Sequence, residues 1–129
     1  TENEEMAQLG DVEHLIVPDG VEIYEIDGPF FFGLASKLDE VDRENNKKGL
    51  KVRIIRMRKV PFIDSTGQNN LRNLWKRAQG ENVQIILSGV TEKVHASLRK
   101  SGFANEIGED YIFPHIIPAL AKATELAEK

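Results

Sequence analysis

A hydroxyl-rich turn, Asp64-Ser65-Thr66-Gly67, holds the residue types that are best placed to do chemistry in this chain. It follows a run typical of a β-strand, residues 52–57, and it opens a helical pattern of apolar residues. The first N–H groups of a helix lack helical partners, and the helix dipole adds partial positive charge there. The turn can therefore hold negative charge, including that of a phosphate attached to Ser65 or Thr66.

The turn also has two plainer interpretations. Asp, Ser and Thr are favoured helix caps and Gly tolerates a tight turn, so local chemistry by itself favours a capping role. Residues 64–67 also match the loose Asp-x-x-Gly pattern of GTPases. No Gly-x-x-x-x-Gly-Lys-Ser/Thr loop precedes them, so the sequence disfavours a nucleotide hydrolase and leaves open a weak nucleotide interaction at this surface.

No other set of residues in the sequence points to catalysis. The histidines, His14, His95 and His115, are scattered and lack the spacing of metal ligands. The sequence shows no Ser-His-Asp set, paired-carboxylate motif or zinc signature. It has no cysteine, which excludes disulfides, thiol catalysis and cysteine metal sites. We therefore predict that the domain is not an enzyme and has no metal or cofactor.

Length and composition indicate one soluble globular domain. The chain has 129 residues, of which 40% are hydrophobic and 29% are charged. Its net charge of −4 argues against nucleic-acid binding. No apolar run approaches the roughly 20 residues that cross a bilayer, and the acidic, polar start does not resemble a signal peptide. Because the chain starts at Thr1 and not at Met, we expect it to be a piece of a longer protein, and the lack of a membrane segment then describes this piece alone.

Hydrophobic periodicity predicts alternating strands and helices. A turn at 18–20 joins the first two strands into a hairpin. The alternation indicates a single α/β domain, residues 12–129, with a mixed, mostly parallel central sheet of four to five strands and about four helices. Residues 1–11 are acidic and are expected to form a linker. The predicted strands are 12–17, 21–26, 52–57, 83–87 and 111–113. The predicted helices are centred on 34–43, on 71–78 with an end near Gly80, on 91–102 and on 117–124.

Three predicted turns should meet at the carboxyl ends of the strands, where open α/β sheets place their working surfaces. They are the break after the second strand at Gly28, the hydroxyl-rich turn, and Ser88-Gly89. We therefore interpret Gly28, Ser88 and Gly89, together with Asp64 and Gly67, as support for the hydroxyl-rich turn or as contacts for an anion or nucleotide.

One basic stretch, residues 47–59, interrupts the acidic chain. It could face anionic lipid headgroups or an acidic partner, or it could be a solvated charged face. Within it, Arg53 and Arg56 fall on opposite faces of a regular strand. We therefore expect one of them to need a carboxylate partner.

Asp-Ser-Thr-Gly after a strand resembles the signature of STAS domains, which occur in anti-sigma-factor antagonists and at the C-terminal ends of SulP anion transporters. Two further regions are similar to the SulP branch. Residues 26–33, Ile-Asp-Gly-Pro-Phe-Phe-Phe-Gly, resemble the strand-to-helix entry of SulP STAS domains. Residues 100–103, 107–109 and 112–115 resemble the end of such domains, so the resemblance covers residues 12–128.

The SulP resemblance implies a non-enzymatic regulatory and interaction domain of a secondary transporter of sulfate-like anions, on the cytoplasmic side of the inner membrane. Its implied partners are the transmembrane domain of the same polypeptide and a regulatory protein or kinase. A homodimer and weak nucleotide binding stay open.

The alternative is a stand-alone anti-sigma-factor antagonist. The resemblance to that branch assigns Ser65 as the phosphorylated residue, with Thr66 as the second candidate. An anti-sigma kinase would phosphorylate Ser65, and only the dephosphorylated form would bind that kinase. The Gly-Pro-Phe-Phe-Phe entry and the Ile-Phe-Pro-His ending favour the transporter branch.

Overall fold

A parallel sheet organises the part of the chain that the structure describes, residues 17–27 and 49–128 of a computed structural model. Its strands are β1 (Val21–Asp27), β2 (Val52–Lys59) and β3 (Gln84–Ser88). They lie in the order β1-β2-β3, and each is parallel to the next. The α/β class is confirmed. Several predictions fall outside the described residues. They are the linker, most of the strand at 12–17, the helix at 34–43, His14 and Gly28.

The central strand, β2, is covered on both faces. Its first six residues are buried, and alternate side chains point to opposite sides of the sheet. Ile55 therefore enters the core on one face while Ile54 enters the core on the other. A strand covered on both faces is expected to be apolar nearly throughout. The two buried exceptions are Arg53 and Arg56.

Four helices of the described residues pack on the sheet. They are α1 (Ser65–Gly80), α2 (Glu92–Ser101), α3 (Phe103–Ile107) and α4 (Ile116–Ala127). As the sequence predicts, α2 follows Thr91, whose Oγ1 accepts a hydrogen bond from the N–H of Val94 at 3.2 Å. Pro118 lies in the first turn of α4, where its missing N–H costs no helical hydrogen bond. The short helix α3 was not predicted, because five residues are too few to show a helical period.

The predicted strand at 111–113 is wrong. Residues Glu109–Tyr111 form a 3-10 turn, and Ile112 makes a single parallel bridge with Leu87. Pairing stops there because Pro114 has no N–H to continue a ladder and the chain enters α4 at Ile116. The described residues thus hold three strands and this bridge, in place of the four to five strands expected.

The helices divide between the two faces of the sheet. Helices α1, α2 and α3 cover one face with a core that includes Leu71, Leu98 and Phe103. Helix α4 covers the other face, where Ala119 and Ala123 lie in one cluster with the apolar residues of β2 and β3. This two-sided cover leaves the ends of the strands as the places where the sheet meets solvent or a partner.

The parallel strands begin at one side of the sheet, which we call the amino edge, and end at the opposite side, which we call the carboxyl edge. The two sides carry different parts of the chain. At the amino edge, where the strands begin, the N–H of Lys51 donates to the carbonyl of Gly20 at 2.8 Å. The Nζ of Lys51 donates to the carbonyl of Ala127 at 3.1 Å, which brings the end of α4 to the same edge. The carboxyl edge, where the strands end, carries the hydroxyl-rich turn between β2 and α1.

Candidate functional site

The hydroxyl-rich turn begins α1, and Asp64 is its capping residue. The backbone of Asp64 is extended, and its Oδ1 accepts a hydrogen bond from the N–H of Gly67 at 2.6 Å. Its carbonyl accepts the N–H of Gln68 at 2.9 Å and so starts the helical ladder. The side chain of Asp64 thereby satisfies one of the amides that the helix leaves without a partner.

Ser65 and Thr66 are the first two residues of α1, and both are exposed. Their hydroxyls therefore lie at the positive end of the helix, where added negative charge is stabilised. The carboxylate of Asp64 already occupies part of this field. A phosphate on Ser65 would gain from the helix dipole and lose from repulsion by Asp64, so its main effect would be on the charge and shape of the exposed surface.

A short segment before the turn presents an apolar side chain to the outside. Val60 and Ile63 are buried and anchor the segment, while Pro61 and Phe62 are exposed, with 41% of the surface of Phe62 accessible. We call Pro61, Phe62, Asp64, Ser65 and Thr66 the turn patch. Sequence reasoning missed Phe62. The signal available in the sequence was the pair of apolar residues Val60 and Ile63. Because both enter the core, the two residues between them are left on the outside.

Ser88 and Gly89 shape the carboxyl edge from within. Ser88 is fully buried, and its in-register neighbour on β2 is Arg56. Gly89 has a φ of +66°, and a Cβ there would lie 2.6 Å from the N atom of Arg58. Only glycine allows the chain to pass this close to β2 in this conformation. These residues therefore bring the ends of β2 and β3 together instead of presenting side chains to solvent.

Charged side chains link β1 to β2 at the same edge. The Nε of Arg58 donates to Glu25 Oε1 at 2.8 Å, and the Nζ of Lys59 lies 3.7 Å from that oxygen. Burial alone would raise the pKa of the Glu25 carboxyl, but its hydrogen bond and attraction to Arg58 lower the pKa below its ordinary value. Burial, together with repulsion by Arg58, lowers the pKa of Arg56. The buried guanidinium of Arg56 therefore lies within the electrostatic reach of both Arg58 and Glu25.

The expectation for the two strand arginines is confirmed at Arg53. Its NH2 group lies 3.4 Å from Glu22 Oε2 on the neighbouring strand, and only 4% of the Arg53 side chain is exposed. The sequence could not identify this partner, because the pairing depends on the register that places Glu22 beside Arg53.

The two histidines within the described residues, His95 and His115, are not gathered into a site. His95 Nε2 lies 2.8 Å from Glu109 Oε1 on the surface, and His115 precedes α4. Among the described residues, no three His, Cys, Asp or Glu side chains are grouped as a metal ion would require. Within 17–27 and 49–128, none of the helices is both long and apolar enough to span a bilayer.

Together, the fold and the site define a small α/β domain with an exposed, helix-capped turn at the carboxyl edge of its sheet. The chain belongs to the STAS domain family, whose model matches residues 14–123. The chain is also similar in sequence to proteins named as sulfate transporters. YvdB of Bacillus subtilis, which is proposed to be a sulfate transporter, is 30% identical over 95 residues. That match covers 74% of this chain but only 18% of YvdB, so the chain spans about a fifth of the length of this relative.

Two solved structures share the fold over nearly the whole chain. A sulfate transporter family protein from Wolinella succinogenes is 41% identical, with a TM-score of 0.86, and the match covers 92% of this chain and 97% of that one. The STAS domain of a SulP transporter from Vibrio cholerae is 27% identical, with a TM-score of 0.78, over 98% of this chain and 99% of that one. The resemblance to STAS domains of the SulP branch is thereby confirmed.

Proposed function

We propose that this chain is the cytoplasmic regulatory and interaction domain of a SulP-type secondary transporter of sulfate or a similar small anion, and that it has no catalytic activity of its own. Its similarity to YvdB, of which it spans about a fifth, and to the two solved structures supports the transporter assignment. The observation that carries the interaction role is the turn patch, in which the exposed Phe62 precedes the exposed Ser65 and Thr66 by a few residues of the chain.

The geometry of the turn patch suits contact better than reaction. The backbone N–H of Gly67 is already bonded to Asp64. Catalysis by Ser65 would require a base within hydrogen-bond reach, and the described residues show no hydrogen bond from its hydroxyl to a His, Asp or Glu side chain. An exposed aromatic ring next to hydroxyl groups is a common basis for binding a protein surface.

The direct test is deletion of residues 12–129 from the full-length protein that carries them. Uptake of labelled sulfate and the amount of protein in the membrane should be measured for the deletion and for the intact transporter. We expect the deletion to lower uptake per transporter, membrane abundance, or both. Unchanged uptake and abundance would contradict the proposed role.

The exposed position of Ser65 favours a second proposal, which is that phosphorylation of this residue switches the turn patch. The hydroxyl is accessible to a kinase and lies in the favourable field of α1. Intact-mass analysis of protein purified from its native host should show a fraction heavier by one phosphate. That fraction should be absent from Ser65→Ala and present in Thr66→Ala. Its absence from the parent under every growth condition would contradict the proposal.

The alternative assignment, a stand-alone anti-sigma-factor antagonist, rests on the same exposed Ser65. The gene separates the two assignments. A transporter gene should encode ten or more apolar segments, each of roughly 20 residues, upstream of residue 1. An antagonist gene should encode none, and its product should bind an anti-sigma kinase only when Ser65 is not phosphorylated.

Weak nucleotide binding at the carboxyl edge and self-association of the domain stay predictions. Isothermal titration with GTP and ATP tests the first, and Ser65→Ala and Thr66→Ala should alter any signal that comes from the turn. Light scattering over a range of protein concentrations tests the second.

A further inference from the structure

Strand β3 is an outer strand of the described sheet, because only one of its sides pairs with β2. The outer side of such a strand presents N–H and C=O groups that can pair with a strand of another chain. In a parallel strand, every second residue directs these groups to the same side. The carbonyl of Leu87 bonds to a residue outside the sheet, so Leu87 and Ile85 are the residues that face away from β2. A strand added to β3 would have to pair with these two residues.

The outward carbonyls of β3 are already bonded within the chain. The carbonyl of Leu87 accepts the N–H of Phe113 at 2.8 Å, and the carbonyl of Phe113 accepts the N–H of Val90 at 3.1 Å. The carbonyl of Ile85 accepts Nε2 of the neighbouring Gln84 side chain at 2.9 Å. Both Ile85 and Leu87 are fully buried. The outer side of β3 is therefore closed by residues of this chain.

The segment that closes it, residues 109–113, is anchored to the helices on both sides, and we call it the β3 strap. On one side, the Nε of Arg99 in α2 donates to Glu109 Oε2 at 3.0 Å. On the other, the Nζ of Lys122 in α4 lies 5.5 Å from the centre of the Tyr111 ring. That ring also packs against the apolar clusters on both faces of the sheet. The strap is thus held in place by contacts that do not involve the backbone of β3.

The residues at the two ends of the strap prevent it from becoming a strand. Gly108 turns the chain with a φ of +103°, and Pro114 has no N–H to offer to a further ladder. A Cβ at Gly108 would lie 3.1 Å from Cδ2 of Tyr111, so the turn and the ring depend on a glycine here. The strap therefore ends the sheet with one bridge, between Ile112 and Leu87, and does not extend it.

We infer that the β3 strap, together with the side chain of Gln84, blocks strand addition at the outer side of β3 and so prevents this side from pairing with a second copy of the chain. The inference goes beyond the proposed function and does not depend on it. Any self-association of the parent domain would then use another surface.

Three double variants of the 129-residue chain test this inference. Gly108→Ala with Gln84→Val strains the start of the strap and removes the donor to Ile85. Gly108→Ala with Gln84→Lys strains the strap equally but keeps a donor and adds a charge that opposes strand pairing. Gly102→Ala with Gln84→Val leaves the strap intact. Gly102 has a similar φ of +89°, and no atom lies within 4 Å of a Cβ there.

Light scattering at equal protein concentration measures the association, and circular dichroism verifies the fold. We expect the average mass of the first variant to exceed that of the parent by at least about twofold, while the two control variants match the parent. A folded first variant with the mass of the parent would overturn the inference. An equal rise in all three variants would also overturn it, because general destabilisation would then be the cause.

Hydrogen exchange in the parent chain tests the strap without any substitution. We expect the amide of Phe113, which is bonded to Leu87, to be protected at least about tenfold more than the amide of Ser65, which begins α1. Equal protection of the two amides would show that the strap does not close β3 in solution, and it would overturn the inference even if the first variant did not fold.

Discussion

The carboxylate of Asp64 accepts a hydrogen bond from the N–H of Gly67 at 2.6 Å and closes the turn that begins α1. This single contact fixes the position of the two exposed hydroxyl residues between them. It also means that the helix start is capped before any partner or phosphate arrives.

Asp64→Ala should destabilise the domain by about 1 kcal/mol, because it leaves an amide at the start of α1 without its partner. Asp64→Asn should lose less, since an amide oxygen can still cap the helix. Urea unfolding followed by fluorescence of Trp75, the sole tryptophan, measures both changes. Ser65→Ala serves as the control and should change the stability by less than about 0.5 kcal/mol. A larger loss for Ser65→Ala than for Asp64→Ala would show that the wrong residue has been identified as the cap.

Ser65→Glu should leave the free energy of unfolding within about 0.5 kcal/mol of the parent, because attraction to the helix dipole and repulsion by Asp64 oppose each other. Negative charge at this position would then change the binding of partners and leave the stability of the fold unchanged. The same urea experiment measures it, with Ser65→Gln as the uncharged control. A loss above about 1.5 kcal/mol relative to Ser65→Gln would indicate that charge at this position unfolds the turn.

Gly89→Ala should cost at least about 2 kcal/mol, because the new Cβ would lie 2.6 Å from the N atom of Arg58 and the φ of +66° is strained for alanine. Gly80→Ala is the matched control. No atom lies within 4 Å of a Cβ at Gly80, at the end of α1, and the stability should stay the same or rise by up to about 1 kcal/mol. Thermal unfolding compares the two variants, and equal effects would disprove the close approach of the two strand ends.

Glu109 gives a prediction about pH. Hydrogen bonds from Arg99 and then from His95, together with their charges, outweigh partial desolvation and lower its pKa from 4.5 to about 2. Because the pKa in the folded chain is lower than in the unfolded chain, the ionised carboxylate stabilises the fold above pH 4.5. That contribution is lost as the pH falls from 4.5 towards 2.

Carbon NMR of the Glu109 carboxyl group, recorded against pH, measures this pKa directly. Arg99→Ala should move the midpoint up towards 4.5. Lys100→Ala changes a neighbouring exposed cation on the same helix and should have a smaller effect. A midpoint near 4.5 in the parent chain would show that the contacts with Arg99 and His95 do not persist in solution.

The sequence predicted those strands and helices whose residue types and periodicity match the way the elements are buried in the structure. The buried run of β2, the opening of α1 by the hydroxyl-rich turn and the cap of α2 at Thr91 all follow from residue types read in order. The same is true of Gly102, which ends α2 with a left-handed backbone. In each case the hydrogen bonds and burial that decide the structure come from neighbouring residues.

The remaining features depend on contacts between distant residues. Tyr111-Ile112-Phe113 has the composition of a strand, but Gly108, with a φ of +103°, and the early start of α4 leave room for one bridge. Ser88 resembles a turn residue in the sequence, whereas the pairing of β3 with β2 buries it beside Arg56. The contact of Glu25 with Arg58 depends on the parallel register that sets Glu25 beside Arg56, two residues before Arg58, and no local pattern reveals that register.

On the proposal that this chain is part of a sulfate transporter, uptake of labelled sulfate by the full-length protein with Phe62→Ala and Ser65→Glu combined tests most directly whether the domain acts through the turn patch. We expect the rate per transporter in the membrane to differ from that of the parent by at least about twofold, because both a binding anchor and its charge environment change. The control, Glu125→Gln on the exposed side of α4, should match the parent. Equal uptake by the double variant, the control and the parent, at equal membrane abundance, would contradict the account.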